Sequence, residues 1–145
     1  MPQSLVRLYV HIVFSTKNRH PFLTDQTLRQ ELHAYLAGAG KNLGSPSLIV
    51  GGVEDHVHIL CYLGKIQPIS ELVKELKRTS SKWAKSKGLP AFYWQRGYGA
   101  FSVSPSHLHA LKIYIAAQEE HHKKESFQDE FRRLLRKYGL EWDER

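Results

Sequence analysis

The stretch Glu54–Cys61 alternates histidine with apolar residues, which favours an extended strand with two different faces. Strand side chains point alternately to opposite faces, so His56 and His58 share one face while Val57 and Ile59 share the other. Two imidazoles one strand repeat apart can bind the same divalent metal, and the apolar face can anchor the strand in a core. The chain has nine histidines, so a chance His-x-His is common and the pair needs a third ligand.

A partner for these histidines is predicted in the segment 112–122. If this segment is helical, Tyr114 and Gln118 are at i and i+4 and project from one face. The helix then offers a phenol as nucleophile and, one turn later, an amide oxygen as metal ligand. With His56 and His58, Gln118 gives three neutral ligands and leaves coordination positions open. This mixed nitrogen and oxygen set suits Mg²⁺ or Mn²⁺ better than structural zinc, which favours four closed ligands.

The order of these motifs resembles that of a known family. His56-Val57-His58 is followed by Tyr114-x-x-x-Gln118, and the segments 8–17 and 95–99 also read like the family. The pattern is similar to that of the single-tyrosine HUH transposases of small bacterial insertion sequences (the insertion sequence 200/605-like group), where HUH denotes His-hydrophobic-His. The similarity covers nearly the whole chain, which is much more specific than the HUH triplet alone.

The resemblance implies a transposase that cleaves and rejoins single-stranded DNA at insertion-sequence ends. Tyr114 would attack the DNA, forming a 5′-phosphotyrosine intermediate and releasing a 3′-hydroxyl, with Mg²⁺ or Mn²⁺ on the three ligands named above. The family further implies DNA with subterminal hairpins as substrate. It also implies a homodimer, in which the tyrosine helix of each subunit completes either its own site or that of the other subunit. His121 and His122 resemble the family too, and either bind DNA, orient the site or are merely solvated.

Three other functions remain open at this point. The first is a domesticated relative that acts on repeated extragenic palindromes, which sequence alone separates poorly from a transposase. The second is a non-catalytic single-stranded nucleic-acid-binding protein, although binding alone requires no tyrosine one helical turn from an amide. The third is a small-molecule metal enzyme of the cupin type. That enzyme would need an acidic ligand a few residues after His58, and Gly64–Ile66 contains none.

Length and composition predict a single domain, 1–145, of ordinary size. Hydrophobic residues at 41% and charged residues at 24% are typical of a soluble globular protein. No apolar run of about 18 residues predicts a transmembrane helix, and Met1–Ser4 lacks the pattern of a secretory signal. The single cysteine, Cys61, cannot form an intrachain disulfide, which favours a cytoplasmic location.

The positive charge favours a polyanionic partner. There are 21 Lys and Arg against 14 Asp and Glu, a net charge of +7. Four basic residues spaced by about one turn form a stripe that either tracks a phosphate backbone or faces solvent: Lys74, Arg78, Lys82 and Lys85. A basic loop carries Lys17 and Arg19. Trp94 and Tyr98 could stack unpaired bases, with core packing as the alternative.

Periodicity and breaker residues predict the order strand, helix, hairpin, helix, strand and then helices. The predicted strands are 5–16, 48–53, 54–61, and an aromatic strand 92–95 followed by 97–103. Four helices are predicted. The first begins at a Thr24 cap and ends at Gly38 and Gly40, and the second spans 69–87. The third begins after Ser104 and carries the tyrosine, and the fourth spans 126–139. This order predicts an α+β fold with a ferredoxin-like antiparallel sheet, helices on one face and the tyrosine-bearing helix near the other (HUH endonuclease-like).

The predicted sheet also separates the two sides of the HUH strand. Helices would cover the face with Val57 and Ile59, leaving His56 and His58 on the opposite face for the tyrosine helix. Asp55, beside His56, is either a hydrogen-bond acceptor for an imidazole or only a turn residue.

Overall fold

A four-stranded antiparallel sheet organises residues 5–140, which are the residues that the structure, a computed structural model, describes. The strands are β1 (Tyr9–Ser15), β2 (Ser47–Gly52), β3 (His56–Tyr62) and β4 (Gly99–Val103), in the order β2-β3-β1-β4. Helix α1 (Gln26–Asn42) joins β1 to β2, and α2 (Ile69–Ser86) joins β3 to β4. Three helices follow: α3 (Leu108–Ala116), α4 (Gln118–His121) and α5 (Phe127–Lys137). The predicted ferredoxin-like fold is confirmed, while Met1–Ser4 lies outside the described residues.

The two faces of the sheet are covered by different helices. One face presents Ile12, Phe14, Val57 and Ile59 to the apolar sides of α1 and α2, and these residues form the main core. The opposite face packs Val13 against α5. A one-residue slip of β3 would exchange its apolar and histidine faces, and burying an apolar side chain of this size is worth about 1.5–3 kcal/mol. The apolar face therefore holds the histidines on the side of α3 and α5, as predicted.

Helix α1 differs from the prediction at both ends. Its N-cap is Asp25, whose side chain accepts a hydrogen bond from the Leu28 amide at 3.0 Å, so the expected Thr24 cap is wrong. The helix also continues past Gly38 and Gly40. A Cβ on Gly40 would lie 3.0 Å from the carbonyl oxygen of Ser45, so this glycine permits close packing instead of ending the helix.

The aromatic segment 92–95 is not a strand of the sheet. Trp94 makes one isolated bridge with Thr16, and the edge strand β4 begins only at Gly99. The Trp94 ring packs edge-on against Phe14 and Phe92, and its indole N–H donates to the Ser80 hydroxyl at 2.9 Å. Burial of these rings takes precedence over continued strand pairing here.

The segment that carries the tyrosine is two helices, not one. Helix α3 ends at Ala116, and Ala117 adopts φ −94° and ψ 15° before α4 begins at Gln118. The predicted start of α5 is confirmed, because the Ser126 side chain accepts a hydrogen bond from the Asp129 amide at 3.2 Å. None of the helices within residues 5–140 combines the length and the apolar content needed to cross a membrane.

Candidate active site and metal centre

The two histidines of the HUH strand are fully buried between the sheet and the C-terminal helices. His56 lies opposite Ser15 in the β1–β3 pairing, and His58 lies opposite Val13 on β1 and Gly51 on β2. Their rings are 5.1 Å apart between centroids. Strand alternation thus brings both imidazoles to the same enclosed space.

Each of these imidazoles has a partner at Nδ1, which directs its Nε2 into the site. The Nδ1 of His56 is 2.7 Å from a carboxylate oxygen of Asp55, and the Nδ1 of His58 is 2.8 Å from the Nε2 of His11. Burial and the neighbouring His58 lower the pKa of His11 to about 3, so this ring is neutral and its Nε2 can accept a hydrogen bond. Histidines that bind metals characteristically donate their second N–H in this way. Asp55 is therefore an imidazole partner and not only a turn residue.

A glutamate from α5 lies at the centre of the site. Glu130 is fully buried, and its Oε1 is 2.9 Å from the Nε2 of His58, 3.0 Å from the Nε2 of His122 and 3.2 Å from the Nε2 of His56. The Oε1 of Gln118 is 3.1 Å from the same nitrogen of His56. The predicted ligands His56, His58 and Gln118 are thus brought together, and Glu130 and His122 join them.

The donor set fits a divalent cation. Ligand atoms of His56, His58, His122 and Glu130 all lie within 4.8 Å of one another. Imidazole nitrogens with carboxylate and amide oxygens form the mixed set that suits ions such as Mn²⁺ and Mg²⁺. The side chains of His56, His58 and Glu130 are fully buried and that of His122 is 8% exposed, and a cation here would be held by protein atoms from three segments of the chain.

The charges inside the site are coupled. Burial would raise the pKa of Glu130, but hydrogen bonds from His122, His56 and His58 hold it well below its ordinary value. Burial would lower the pKa of His56, but its bonds with Asp55 and Glu130 raise it to about 9. Burial lowers the pKa of His58 to about 4. The Glu130 carboxylate is therefore ionised, and either a proton on His56 or a divalent cation can balance its charge.

Tyr114 reaches the same carboxylate from α3. Its hydroxyl donates to the Oε2 of Glu130, and it accepts a hydrogen bond from the Nη2 of Arg133 at 2.9 Å. The amide of Gln118 also donates to Oε2 of Glu130, at 3.1 Å. The Tyr114 ring is 5.9 Å from that of His58. Burial and the bond with Glu130 raise the pKa of Tyr114, whereas Arg133 acts in the opposite direction.

Two glycines allow the helices to approach the sheet closely enough to form the site. A Cβ on Gly51 of β2 would lie 2.6 Å from the carbonyl oxygen of Ile115 in α3. A Cβ on Gly99 of β4 would lie 2.6 Å from a ring carbon of Phe131 in α5. Helix α3 thus lies against the backbone of β2, whereas α5 contacts β4 through the Phe131 ring, and both contacts affect the depth at which Tyr114 and Glu130 enter the site.

The predicted DNA-binding residues are dispersed. The basic stripe lies on α2, which covers the sheet face away from Tyr114. Within it, Arg78 pairs with Glu75 at 2.7 Å and Lys85 donates to the carbonyl oxygen of Phe92 at 2.6 Å. Trp94 is 9% exposed and its ring packs against Phe14 and Phe92 in the core, so the structure favours the core-packing alternative over base stacking.

The other candidates are more accessible. Lys17 and Arg19 are exposed in a short turn that follows β1, and Tyr98 is 38% exposed before β4. A cleft of about 480 Å³ opens beside Tyr114 between α3, α5 and the end of β4. Its lining includes cationic and aromatic groups: His107, Arg133, Lys137 and Tyr138. His121 contacts Glu125 at 2.6 Å, whereas His122 belongs to the group of potential metal ligands with His56, His58 and Glu130.

Sequence reasoning missed His11, Glu130 and Arg133. The signal for His11 was its position on the same face of β1 as Val13, directly beside the HUH strand. The signal for Glu130 was its spacing from Phe127 and Leu134, which places a carboxylate on the apolar stripe of α5. An acidic residue at such a position requires a buried partner.

Comparisons with known proteins show the family of the chain and support its fold. The family described as Transposase IS200 like matches residues 4–118. A crystal structure of a candidate transposase from Deinococcus radiodurans is similar, with 24% identity, a TM-score of 0.63, and coverage of 81% of this chain and 98% of that one. A REP-associated tyrosine transposase bound to a REP hairpin has 14% identity, a TM-score of 0.61, and coverage of 84% and 73%. Among curated proteins, no sequence matches this chain.

Proposed function

Since the chain belongs to the Transposase IS200 like family, we propose that it cleaves and rejoins single-stranded DNA at insertion-sequence ends with Tyr114 as covalent nucleophile. The observation that carries the proposal is the meeting of the Tyr114 hydroxyl with a buried group of metal-binding side chains. A tyrosine that served only packing would not need a group of potential metal ligands beside its hydroxyl. A metal site that served only structure would not need the Tyr114 hydroxyl beside its ligands.

The residues of the chain account for most of the reaction. His56, His58 and Gln118 would hold Mg²⁺ or Mn²⁺, which when bound polarises a phosphoryl oxygen and orients the scissile group. The Tyr114 oxygen attacks phosphorus, and the bond from phosphorus to the 3′ oxygen breaks. The proton lost by Tyr114 is balanced by the proton gained at the released 3′-hydroxyl. The tyrosyl ester retains the energy needed for a later 3′-hydroxyl to reseal the strand.

Arg133 supports the attack of Tyr114 electrostatically. Its guanidinium donates to the phenol oxygen at 2.9 Å, on the atom where negative charge grows as the proton leaves. A donor already aimed at a developing charge stabilises the transition state without reorganisation. Arg133 is also held by Glu125 at 3.1 Å, so its position does not depend on the DNA.

A domesticated relative that acts on repeated palindromes is the second candidate. One similar structure is that of a REP-associated tyrosine transposase bound to a REP hairpin, which favours hairpin DNA as a ligand for this chain as well. The two functions share the same covalent step and differ in the DNA that is recognised. They are separated by comparing cleavage of insertion-sequence ends with cleavage of a repeated palindrome.

The groups of one active site could come from a single chain or from both chains of a dimer. The family resemblance implies a homodimer and leaves open whether its tyrosine helices are exchanged between the two subunits. Here Tyr114 meets His58 of its own chain, with ring centroids 5.9 Å apart. We propose that one chain supplies all the groups of its site, whether or not two chains associate.

The covalent step is tested on a denaturing gel. The protein is incubated with labelled single-stranded DNA from insertion-sequence ends and Mn²⁺ or Mg²⁺, beside a Tyr114→Phe variant that keeps the ring but lacks the hydroxyl. A metal-dependent protein–DNA band that is absent from the variant supports the proposal. A band that persists in the variant excludes Tyr114 as nucleophile. A native-gel shift without any covalent band favours a binding protein.

A further inference from the structure

We propose that Glu130 of α5 is an additional ligand of the metal centre, and that its second oxygen holds the Tyr114 hydroxyl, so that one carboxylate joins cation and nucleophile. The inference rests on the proposed function, because it assumes that the HUH histidines bind a divalent cation. It adds a residue from outside residues 4–118, the segment that the family matches. The test of this inference therefore distinguishes failure of the Glu130 ligand role from failure of the proposed function.

The two oxygens of Glu130 face different parts of the site. Oε1 is within 3.2 Å of three imidazole nitrogens, those of His56, His58 and His122. In His56 and His58, Nε2 is the nitrogen that remains after Asp55 and His11 contact the Nδ1 atoms. Any cation bound by the Nε2 atoms of His56 and His58 therefore has the anionic Oε1 as a neighbour.

Oε2 faces the nucleophile side. It accepts hydrogen bonds from the Tyr114 hydroxyl and from the Gln118 amide. The amide oxygen of Gln118 meanwhile points to His56. This orientation is consistent with Gln118 as a ligand through its oxygen, while its N–H₂ group fixes Glu130. Tyr114 and the ligand set are thus linked through two hydrogen bonds to a single carboxylate.

The buried carboxylate of Glu130 needs a compensating positive charge. The side chain is fully enclosed, and its surroundings offer no lysine or arginine within the hydrogen bonds described; its partners are imidazoles, a phenol and an amide. A buried carboxylate is costly unless its charge is compensated. A divalent cation held by neutral histidines supplies that compensation, and an anionic ligand in turn increases the affinity of the site for Mg²⁺ or Mn²⁺.

The test measures Mn²⁺ affinity directly, by isothermal titration calorimetry of the whole chain without DNA. Glu130→Gln keeps the size and the hydrogen bond to Tyr114 but removes the anionic ligand. We expect it to weaken Mn²⁺ binding by at least about tenfold, since even groups that only support a ligand are worth 10–100-fold in affinity. Glu125→Gln is the matched control, because it removes the same charge from a nearby carboxylate that contacts His121 and Arg133.

The possible results separate the ligand role of Glu130 from the existence of the HUH metal site. Unchanged or tighter Mn²⁺ binding by Glu130→Gln overturns the ligand role of Glu130. An equal loss in Glu125→Gln would place the cation in the second group, formed by His121, Glu125 and Glu130, and would overturn the proposal that Glu130 joins the HUH metal centre to Tyr114. Mn²⁺ binding that survives His56→Ala contradicts the HUH metal site itself, and with it the proposed function.

Circular dichroism and a melting curve establish that each variant is folded. If Glu130→Gln does not fold, Glu130→Asp is measured instead, because it keeps the charge and withdraws the oxygens by one methylene. Weakening by about tenfold or more then supports the ligand role. Affinity equal to that of the parent chain overturns it.

Discussion

Gly51→Ala should disable the site without touching any of its polar groups. The backbone of Gly51 is outside the left-handed region, so alanine is not strained there. Its Cβ, however, would lie 2.6 Å from the Ile115 carbonyl oxygen and 2.8 Å from that residue's Cγ2. Ordinary contact begins at 3.4 Å, so α3 must retreat by roughly 0.8 Å, and Tyr114 is the preceding residue of that helix.

The displacement predicts both a kinetic and a thermodynamic loss. A misplacement of about 1 Å can cost about 10²-fold in rate, and an extra methyl group in a packed interface costs about 1–3 kcal/mol. The first is measured as the rate of covalent Tyr114–DNA formation at saturating Mn²⁺, and the second as the change in free energy of unfolding in urea. Formation of the covalent product at the parent rate by Gly51→Ala would refute the predicted displacement of Tyr114.

Gly38→Ala provides the matched control for this experiment. Gly38 lies in the interior of α1, and a Cβ there would meet nothing within 4 Å. Replacing glycine by alanine in a helix should therefore stabilise the chain by roughly 0.5–1 kcal/mol and leave the rate unchanged. Opposite signs for two identical substitutions would trace the effect of Gly51→Ala to the contact with α3.

Three further predictions concern assembly, stability and DNA binding. Mixing His56→Ala with Tyr114→Phe should give no covalent product if each chain builds its own site, whereas product from the mixture would establish exchange of tyrosine helices between subunits. His33→Leu should stabilise the chain by about 1–3 kcal/mol at pH 7, because the buried Nε2 of His33 has no partner among the described residues. Burial lowers the pKa of His33 to about 4, so the unfolded chain binds the extra proton between pH 6.5 and 4. Parent stability should therefore fall with acidification through this window, and less so in the variant; urea titrations at pH 7 and pH 5 check both, and equal pH dependence would contradict the cause. Neutralising Arg133 and Lys137 should flatten the slope of log affinity against log salt by roughly 1.4, at about 0.7 per phosphate contact on a single strand. We expect a smaller change on neutralising the α2 stripe at Lys74, Arg78 and Lys82, and a larger one would move the DNA path to α2.

Strand alternation made the sheet and its histidine face predictable. In β3 the apolar set and the histidine set occupy opposite faces, and only one of them can enter the main core with α1 and α2. The burial of Val57 and Ile59 therefore determines where His56 and His58 point. Local rules were equally sufficient for the start of α5, where the Ser126 cap depends on neighbouring residues alone.

Tertiary contacts explain most of what sequence reasoning got wrong. Gly40 resembles a helix terminator, but its missing side chain is needed for the approach of Ser45. Trp94 resembles part of a strand, yet its indole is held by Phe14, Phe92 and Ser80. In both cases a residue that serves a packing contact resembles a local signal of secondary structure. The local sequence pattern alone does not distinguish a residue that ends a helix or extends a strand from one that serves a packing contact.

The site owes its completeness to the same kind of distant contact. The HUH strand and the tyrosine helix supply ligands and nucleophile, but the carboxylate between them comes from α5, a helix with a Ser126 cap and an amphipathic pattern like any other. Gly51 lets α3 lie against the backbone of the edge strand β2, and Gly99 leaves room for the Phe131 ring of α5 against the edge strand β4; these contacts set the depth at which Tyr114 and Glu130 meet. The geometry of the nucleophile therefore depends on two packing contacts on opposite edges of the sheet. A substitution at either edge should alter reactivity before it alters the fold.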